Sequence, residues 1–300
     1  MVVVTSGKKY MDIDAYAGCI AYAKLLNLKG INAKAISTAK LNGSITPSLM
    51  KLTPKLDEYK PHKEDEYIVI DVSNKDYFDT FVQEEKIIGI IDHHVGFEEY
   101  WQNKLKEKVQ IEFIGSVATI IVELYEKENL IEQISKDLAT LLISAILDNT
   151  LNLKAKITTK RDRIAYKKLE KIIKDKTYPQ KYFKECQIGI NNHLKKSIEN
   201  DTKKENISAI LPPIFAQLTI WDKDSILENK QIIYETLNNI GTKWMLNLIC
   251  LKDGKSYLLA KDIEVQDNME KLFHEEFQNE IMKLDNVWLR KEIIKLGLKN

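Results

Sequence analysis

The amino-acid sequence predicts an α/β protein with two domains: an N-terminal domain built on a mainly parallel, doubly wound sheet, and a smaller C-terminal α/β domain with a mixed sheet. In the first half of the chain, short β-branched runs alternate with longer segments of helical period. A strongly polar stretch, roughly residues 172–206, separates this half from the rest. Beyond it, the apolar runs on either side of "LKDGK" indicate a hairpin. We therefore expect a first domain at residues 1–185, a linker at 186–206 and a second domain at 207–300.

Four apolar runs in the first domain are predicted to be parallel strands, because continuous apolar runs between helices are typical of strands buried on both faces. They are Val2–Thr5, Ala33–Ser37, Tyr67–Asp71 and Ile87–Asp92. The helix predicted between the first two ends at Gly30 and has one apolar stripe, formed by Ala17, Ala21, Leu25 and Leu28. "SVATIIVELYEKENL" and "SKDLATLLISAIL" are predicted to be two further helices, the second of them central.

The composition indicates a small-molecule partner. Forty-five basic and 44 acidic residues give a net charge near +1, which is not the charge pattern of a protein that binds long nucleic acid or an anionic membrane. Three cysteines lie far apart, without the spacing of a zinc cluster or a disulfide framework. The opening has no signal-peptide pattern, and no run approaches the ~20 apolar residues of a membrane span. We expect a cytoplasmic protein, and leave a homodimer open.

Acidic and histidine side chains follow three of the predicted strands. Because ligands bind beyond the carboxyl ends of parallel strands, we expect these side chains to meet at one edge of the sheet. Crowded carboxylates repel one another unless cations lie between them, so the pattern predicts an oxygen-rich, histidine-containing site for Mn²⁺, Mg²⁺ or a similar ion. The residues are Asp12, Asp14, Asp71, Asp92, His93 and His94.

Each of these residues also has an ordinary structural interpretation. Asp12 or Asp14 could cap a helix. Asp71 could begin a turn with the polar residues that follow it. The two histidines could be loop residues. These interpretations weaken when all of them have to hold at once, since several independent coincidences would be needed.

The motifs "DID", "DVSN" and "DHH", each placed after a predicted strand, resemble those of the DHH phosphoesterase superfamily. The later segments "IEFIGSVATIIVELY" and "LLISAILDNTLNLKAKITTKRDRIAYKKL" resemble the branch with a DHHA2-type second domain. That branch contains manganese-dependent family II inorganic pyrophosphatases, exopolyphosphatases and prune-like phosphodiesterases. The resemblance covers nearly the whole chain, and its N-terminal motifs are the more specific ones.

This resemblance implies a role for each residue of the predicted site. Asp12 would bind one metal ion, Asp14 the other, and Asp71 would bridge them. His93 would be a metal ligand and His94 would contact the phosphate of the substrate. Asp92 would orient an imidazole ring. The implied cofactor is Mn²⁺, with Mg²⁺ or Co²⁺ as alternatives, as one or two ions.

Two positions depart from the family pattern. Lys8 stands where relatives have a histidine or asparagine, and a protonated lysine does not bind metal. Asn149 stands where relatives have a metal-binding aspartate, with Asp148 one residue earlier. Adjacent helical positions point about 100° apart, so Asp148 does not simply replace that carboxylate. Either Lys8 takes the place of one cation and contacts the substrate in a one-metal site, or catalysis has been lost.

The resemblance also implies substrate-binding cations in the second domain. Arg290 and Lys291 of "WLRKE" match the family's phosphate-binding pair, with a solvated charge pair as the plain alternative. A further family lysine falls at Lys195 or Lys196. The implied function is metal-dependent hydrolysis of pyrophosphate, short polyphosphate or a related small phosphoester, with Asp71, Asp92 and His94 as catalytic residues. The alternative is a metal-poor protein that binds a phosphorylated metabolite or nucleotide. A dinucleotide-dependent oxidoreductase is disfavoured, because "VVVTSGKKYMDID" lacks G-x-G-x-x-G.

Overall fold

The structure is a computed structural model that describes residues 1–53, 56, 60 and 62–299. The chain divides into two compact units, Met1–Pro179 and Gln180–Asn300. None of the described helices is long and apolar enough to cross a lipid bilayer. The elements of the first unit are β1 (Val2–Thr5), β2 (Tyr10–Met11), α1 (Ile13–Leu28), β3 (Ala33–Ala35), β4 (Lys40–Leu41), α2 (Pro47–Met50), β5 (Glu66–Ile70), β6 (Ile87–Asp92), α3 (Glu98–Leu105), β7 (Val109–Ile111), α4 (Val117–Lys127), α5 (Lys136–Asn149) and α6 (Lys160–Ile173).

The main sheet of the first unit is parallel throughout, with strand order β3-β1-β5-β6-β7. The short β2 and β4 pair separately. Helices cover both faces of the main sheet. On one face, Trp101 of α3 packs with Val3 and Val69. On the other, α1 crosses so closely that a Cβ on Gly18 would lie 2.7 Å from Cγ2 of Ile70. The predicted doubly wound parallel sheet is confirmed.

The predicted strands match the structure closely, because their apolar runs are buried on both faces. Helix α1 follows the predicted stripe less well: Ala17, Ala21 and Leu25 are buried, but Leu28 is 40% exposed. Leu28 is the last residue of the helix and lies two residues beyond Leu26, the last residue that the helix buries. Helices α4 and α5 begin after Ser116 and Ser135, whose side chains accept hydrogen bonds from backbone N–H groups of the first turn.

Helix α7 (Tyr178–Asn192) carries the chain across the division into the second unit. The elements that follow are α8 (Leu194–Asn200), β8 (Thr202–Lys204), β9 (Ile214–Ile220), α9 (Asp224–Leu227), α10 (Lys230–Asn238), β10 (Trp244–Cys250), β11 (Lys255–Leu259), α11 (Ile263–Phe273), β12 (Phe277–Gln278), β13 (Ile281–Leu284) and α12 (Arg290–Gly297). Their sheet has the order β12-β13-β11-β10-β9-β8. Strands β9 and β10 are parallel, while the other pairs are antiparallel, so the predicted mixed sheet is confirmed.

Residues 186–206, expected to be a linker, are instead folded. They contain the end of α7, all of α8, and β8, which pairs with β9. The polar composition conceals a short amphipathic helix: Leu194 and Ile198, four residues apart, are both buried in the core against β9 and β10. The division between the compact units lies earlier, after Pro179.

Candidate metal centre

The predicted site residues lie where the strand order of the first sheet reverses. From β1 the sheet extends to β3 on one side and to β5, β6 and β7 on the other. Such a switch point opens a crevice at the carboxyl ends of the strands. Asp12 and Asp14 lie just beyond β1 and β2, Asp71 follows β5, and Asp92 ends β6. The convergence predicted from the sequence is therefore present.

Asp14 is completely buried and is held by the N-terminus of α4. Its Oδ1 accepts hydrogen bonds from the Ser116 hydroxyl (2.7 Å) and the Ala118 backbone N–H (3.0 Å), and its Oδ2 accepts one from the Val117 N–H (2.8 Å). The positive end of a helix dipole favours a negative charge at this position. Oδ2 also lies 3.8 Å from Nε2 of His93 and keeps a lone pair for a ligand. Burial nevertheless raises the pKa of Asp14 above its usual value.

Asp71 has the left-handed backbone conformation, with φ of 62°. Aspartate tolerates this region better than most residues, but it still carries a conformational cost of roughly 1–3 kcal/mol. Its side chain is only 6% exposed, and its buried Oδ1 makes a 3.2 Å contact with Nε2 of His93 that lacks hydrogen-bond geometry. Burial, followed by repulsion from the Asp12 charge, raises the pKa of Asp71. A costly backbone conformation thus delivers a carboxylate oxygen that lacks a proper partner.

His93 is buried, with its two ring nitrogens in different surroundings. Nδ1 lies 3.0 Å from the backbone carbonyl oxygen of Ile114, which accepts a hydrogen bond only if Nδ1 carries the proton. Nε2 therefore faces the Asp14 and Asp71 carboxylates. Burial lowers the pKa of His93, but contact with Asp71 and the charges of both aspartates outweigh it and raise the pKa. The surroundings of Nε2 therefore favour a positive charge at this point.

His94 extends into solvent, with a side chain that is 64% exposed. Its Nδ1 lies 2.9 Å from Oδ1 of Asp92, which also accepts hydrogen bonds from the backbone N–H groups of His93 and His94. The hydrogen bond to Asp92 raises the pKa of His94. The Nε2 of His94 remains outside this Asp92 network. Asp92, which was expected to orient an imidazole ring, orients His94; Ile114 provides the corresponding contact to His93.

The remaining candidates of the first unit are Asp12, Lys8, Asn149 and Asp148. Asp12 is the N-cap of α1, because its Oδ1 accepts hydrogen bonds from the N–H groups of Asp14 and Ala15. Lys8 is exposed, and its backbone N–H donates to the carbonyl of Tyr77. Asn149 is the last residue of α5, where its amide nitrogen lies 3.5 Å from the carbonyl oxygen of Ala145; Asp148 beside it is half-buried. The group of close potential ligand atoms among the described residues contains Asp71, His93 and His94.

In the second unit, the guanidinium of Arg290 is bound by groups of that unit. Its Nη2 donates to Oδ1 of Asp201 (2.6 Å), and its Nη1 donates to the backbone carbonyls of Asp201 (2.5 Å) and Phe215 (3.0 Å). The Arg290 side chain is only 14% exposed. Lys291 is exposed, as are Lys195 and Lys196 on α8. Of the two family cations, only Lys291 extends freely from the surface of its own unit.

The centre of the first unit fits a divalent cation. The unpaired Oδ1 of Asp71, the Nε2 of His93 and the Oδ2 of Asp14 face one another in a buried space. Carboxylate oxygen together with imidazole nitrogen is a donor set that suits Mn²⁺. Sequence reasoning missed the groups that hold this set in place, the Ile114 carbonyl and the N-terminus of α4. The sequence feature that could have indicated the N-terminus of α4 is Ser116, a typical N-cap residue ahead of an apolar run.

Comparison with known proteins agrees with this geometry. Residues 2–146 match the model of the DHH family, N-terminal domain. The first unit therefore resembles the N-terminal domain of the DHH family. A protein of Exiguobacterium sp. assigned as a manganese-dependent inorganic pyrophosphatase is 25% identical over 97% of this chain and 96% of its own length. The manganese-dependent inorganic pyrophosphatase of Bacillus subtilis is 28% identical over 57% of this chain and 55% of its own length.

Two solved structures resemble this chain over both of its units. A protein of Methanococcus jannaschii assigned to the family II inorganic pyrophosphatases has a TM-score of 0.62, with 22% identity over 99% of this chain and 100% of its own. An exopolyphosphatase-related protein of Bacteroides fragilis has a TM-score of 0.51, with 12% identity over 99% of this chain and 90% of its own. At such low identity these structures show the fold, which is the two-domain fold predicted from the sequence.

Proposed function

We propose that this chain is a manganese-dependent hydrolase that cleaves pyrophosphate or short polyphosphate. The observation that carries the proposal is the buried contact between Oδ1 of Asp71 and Nε2 of His93, with Oδ2 of Asp14 beside them. These atoms form an arrangement that requires positive charge. The whole-length similarity to proteins assigned as manganese-dependent pyrophosphatases supports the choice of metal and substrate.

One group of residues in the centre is proposed to bind metal. Asp71 and His93, with Asp14 beside them, would hold at least one ion. When bound, the ion supplies Lewis-acid chemistry to the phosphoryl group and to the attacking water. Asp12, whose second carboxylate oxygen is not used by the helix cap, would contribute to a second ion if two are bound.

His94 would serve the substrate. Asp92 holds its Nδ1–H and raises its pKa, so that Nε2 can carry a proton toward an incoming phosphate oxygen. In that position it donates a hydrogen bond as charge grows on the phosphoryl group or on the departing phosphate. Lys8 of the first unit and Lys291 of the second are proposed to supply further cations. For Arg290 to contribute, it would first have to leave Asp201.

The alternative of a metal-poor binding protein is not favoured. It would need the two departures from the family pattern, Lys8 and Asn149, to outweigh the retained group of Asp14, Asp71 and His93. A binding protein also has no evident need for the Asp92–His94 pair, which holds an exposed proton donor beside the group of Asp14, Asp71 and His93.

Phosphate release from a substrate panel tests the proposal. The protein is stripped with a chelator, dialysed, and assayed with pyrophosphate, tripolyphosphate, a cyclic dinucleotide and a linear dinucleotide, with and without Mn²⁺. We expect turnover of pyrophosphate or tripolyphosphate that depends on Mn²⁺ and disappears on renewed chelation. A panel without metal-stimulated turnover would contradict the proposal, and turnover of the nucleotides alone would move the substrate class to phosphodiesters.

A further inference from the structure

One segment contacts two of the three candidate ligands of the first unit. Residues 112–118, here called the 112–118 loop, comprise the connection from β7 to α4 and the first two residues of α4. The loop supplies the carbonyl of Ile114 to Nδ1 of His93. It also supplies the three donors that hold Asp14, from Ser116, Val117 and Ala118. The position of this loop therefore decides the direction in which Nε2 of His93 points.

A completely buried carboxylate, Asp162, contacts the 112–118 loop. It lies in the first turn of α6 and accepts four hydrogen bonds. Two come from the cap of its own helix, the backbone N–H and hydroxyl of Thr159, each at 2.7 Å. The other two come from the Gly115 N–H (3.1 Å) and the Thr119 hydroxyl (2.7 Å). Three of these donors contact Oδ2 and the Thr119 hydroxyl contacts Oδ1, so Oδ2 is fully occupied while Oδ1 keeps a lone pair.

The contact between Asp162 and the loop is close enough to require glycine. A Cβ on Gly115 would lie 2.7 Å from Oδ2 of Asp162 and 2.7 Å from Cγ2 of Thr150. Arg161, the neighbour of Asp162 on α6, binds the start of the loop through Glu112 and also binds Glu123 of α4. The first turn of α6 thus fixes the loop at both Glu112 and Gly115, on either side of Ile114.

We propose that Asp162 is a positioning residue for the metal centre. Through the Gly115 N–H it holds the Ile114 carbonyl against Nδ1 of His93, and this contact directs Nε2 toward Asp71 and Asp14. The consequence for metal binding rests on the proposed function. The orientation of the ring is a property of the metal-free chain and can be measured separately.

Two variants disrupt the contact between Asp162 and Gly115, one at each residue. Asp162→Ala removes the carboxylate, and Gly115→Ala pushes the loop away from it. In both variants, we expect the Nδ1–H proton of His93 to exchange with solvent at least about tenfold faster than in the wild type. NMR of the metal-free protein measures this exchange. We expect the Kd for Mn²⁺, measured by calorimetry, to rise roughly 10- to 100-fold, as is typical when a ligand loses its supporting partner.

Asp162→Asn is the conservative variant that should restore the behaviour of the wild type. Its amide oxygen can take the place of Oδ2 toward Gly115 and Thr159, while its NH₂ group donates to the Thr119 hydroxyl, which can also accept. Thr119→Val is the matched control. It removes one hydrogen bond from Oδ1 of Asp162 and leaves the Gly115 contact intact. We expect both variants to keep the slow exchange at His93 and the wild-type Kd for Mn²⁺.

Folded Gly115→Ala and Asp162→Ala proteins with unchanged exchange at His93 would overturn the proposal. So would a Thr119→Val protein that lost protection and Mn²⁺ affinity as strongly, because the effect would then be a general loss of packing. If Asp162→Ala does not fold, the contrast between Gly115→Ala and Asp162→Asn decides. A wild-type protein that binds no Mn²⁺ would refute the proposed function, while the exchange measurement would still decide the role of Asp162.

Discussion

The two units differ in how many of their buried side-chain oxygens lack a hydrogen-bond partner. In the described part of the first unit, three buried side-chain oxygens lack a hydrogen-bond partner: those of Thr5, Asp71 and Asp92 at the ends of β1, β5 and β6. In the described part of the second unit there is one, Oδ1 of Asn247 inside β10. An unpaired buried oxygen costs about 1–3 kcal/mol, so three at one edge indicate a place kept for a ligand. In the second unit, the cation best suited to grip phosphate, Arg290, is already bound by Asp201 and Phe215.

The largest effect is expected from the first unit, in Asp71→Asn. Asparagine also tolerates a positive φ, so the variant removes charge while keeping shape and backbone. We expect turnover to fall at least about 1000-fold, since metal assistance contributes several kcal/mol and about 1.4 kcal/mol corresponds to a factor of ten. Steady-state phosphate release at saturating Mn²⁺ provides the measurement.

Asp65→Asn is the control for this substitution. Asp65 is a buried carboxylate at the opposite end of β5, where it accepts a hydrogen bond from the backbone of His62. Its replacement should lower the melting temperature and leave kcat unchanged. Equal losses of kcat in the two variants would mean that Asp71 acts only through stability.

The next effect separates the two histidines. His94→Asn keeps a donor near Asp92 but removes Nε2, so kcat should fall roughly 100-fold, the lower range for loss of a proton donor. The affinity for Mn²⁺ should stay at the wild-type value, because His93 rather than His94 faces Asp14 and Asp71. If Mn²⁺ affinity falls together with kcat, His94 is a metal ligand, as its closeness to Asp71 and His93 would also allow.

A smaller effect is expected from the second unit. Arg290→Met removes the hydrogen bonds to Asp201 and Phe215 and should lower the free energy of unfolding by roughly 1.5–3 kcal/mol, the range for bonds to a charged group. Lys291→Met, one residue away and exposed, should leave stability unchanged and raise KM. Urea unfolding and steady-state kinetics distinguish the two. An Arg290→Met protein of normal stability and raised KM would show that Arg290 is free for substrate in solution.

The smallest effect is expected from Lys8→His combined with Asn149→Asp, which restores the family residues. The change makes the surroundings of the centre about two charge units more negative, which favours binding of cations. We expect tighter Mn²⁺ binding or a higher stoichiometry in calorimetry. Identical titrations of the variant and the wild type would indicate that neither side chain reaches the centre, in keeping with the exposure of Lys8.

The side chains of the candidate metal centre could be predicted from the sequence, but the backbone groups that hold them could not. The periodic runs predicted the sheet, and strand ends are a general rule of parallel sheets, so the convergence of Asp14, Asp71 and His93 could be predicted. The carbonyl of Ile114 and the N–H of Val117 are backbone groups that every residue possesses, so no residue type indicates them. The ion pair of Arg290 with Asp201 was not predicted for a different reason: it depends on how β8 pairs with β9.

The hold of α4 on Asp14 also has a consequence for the order in which the protein assembles. Asp14 and Val117 are 103 residues apart in the chain, and contacts of such long separation close late because the intervening segment must first be ordered. During synthesis, Asp14 leaves the ribosome long before Ser116, Val117 and Ala118, and its carboxylate remains solvated until they are available. The candidate metal centre is therefore complete only when the first turn of α4 has docked on Asp14.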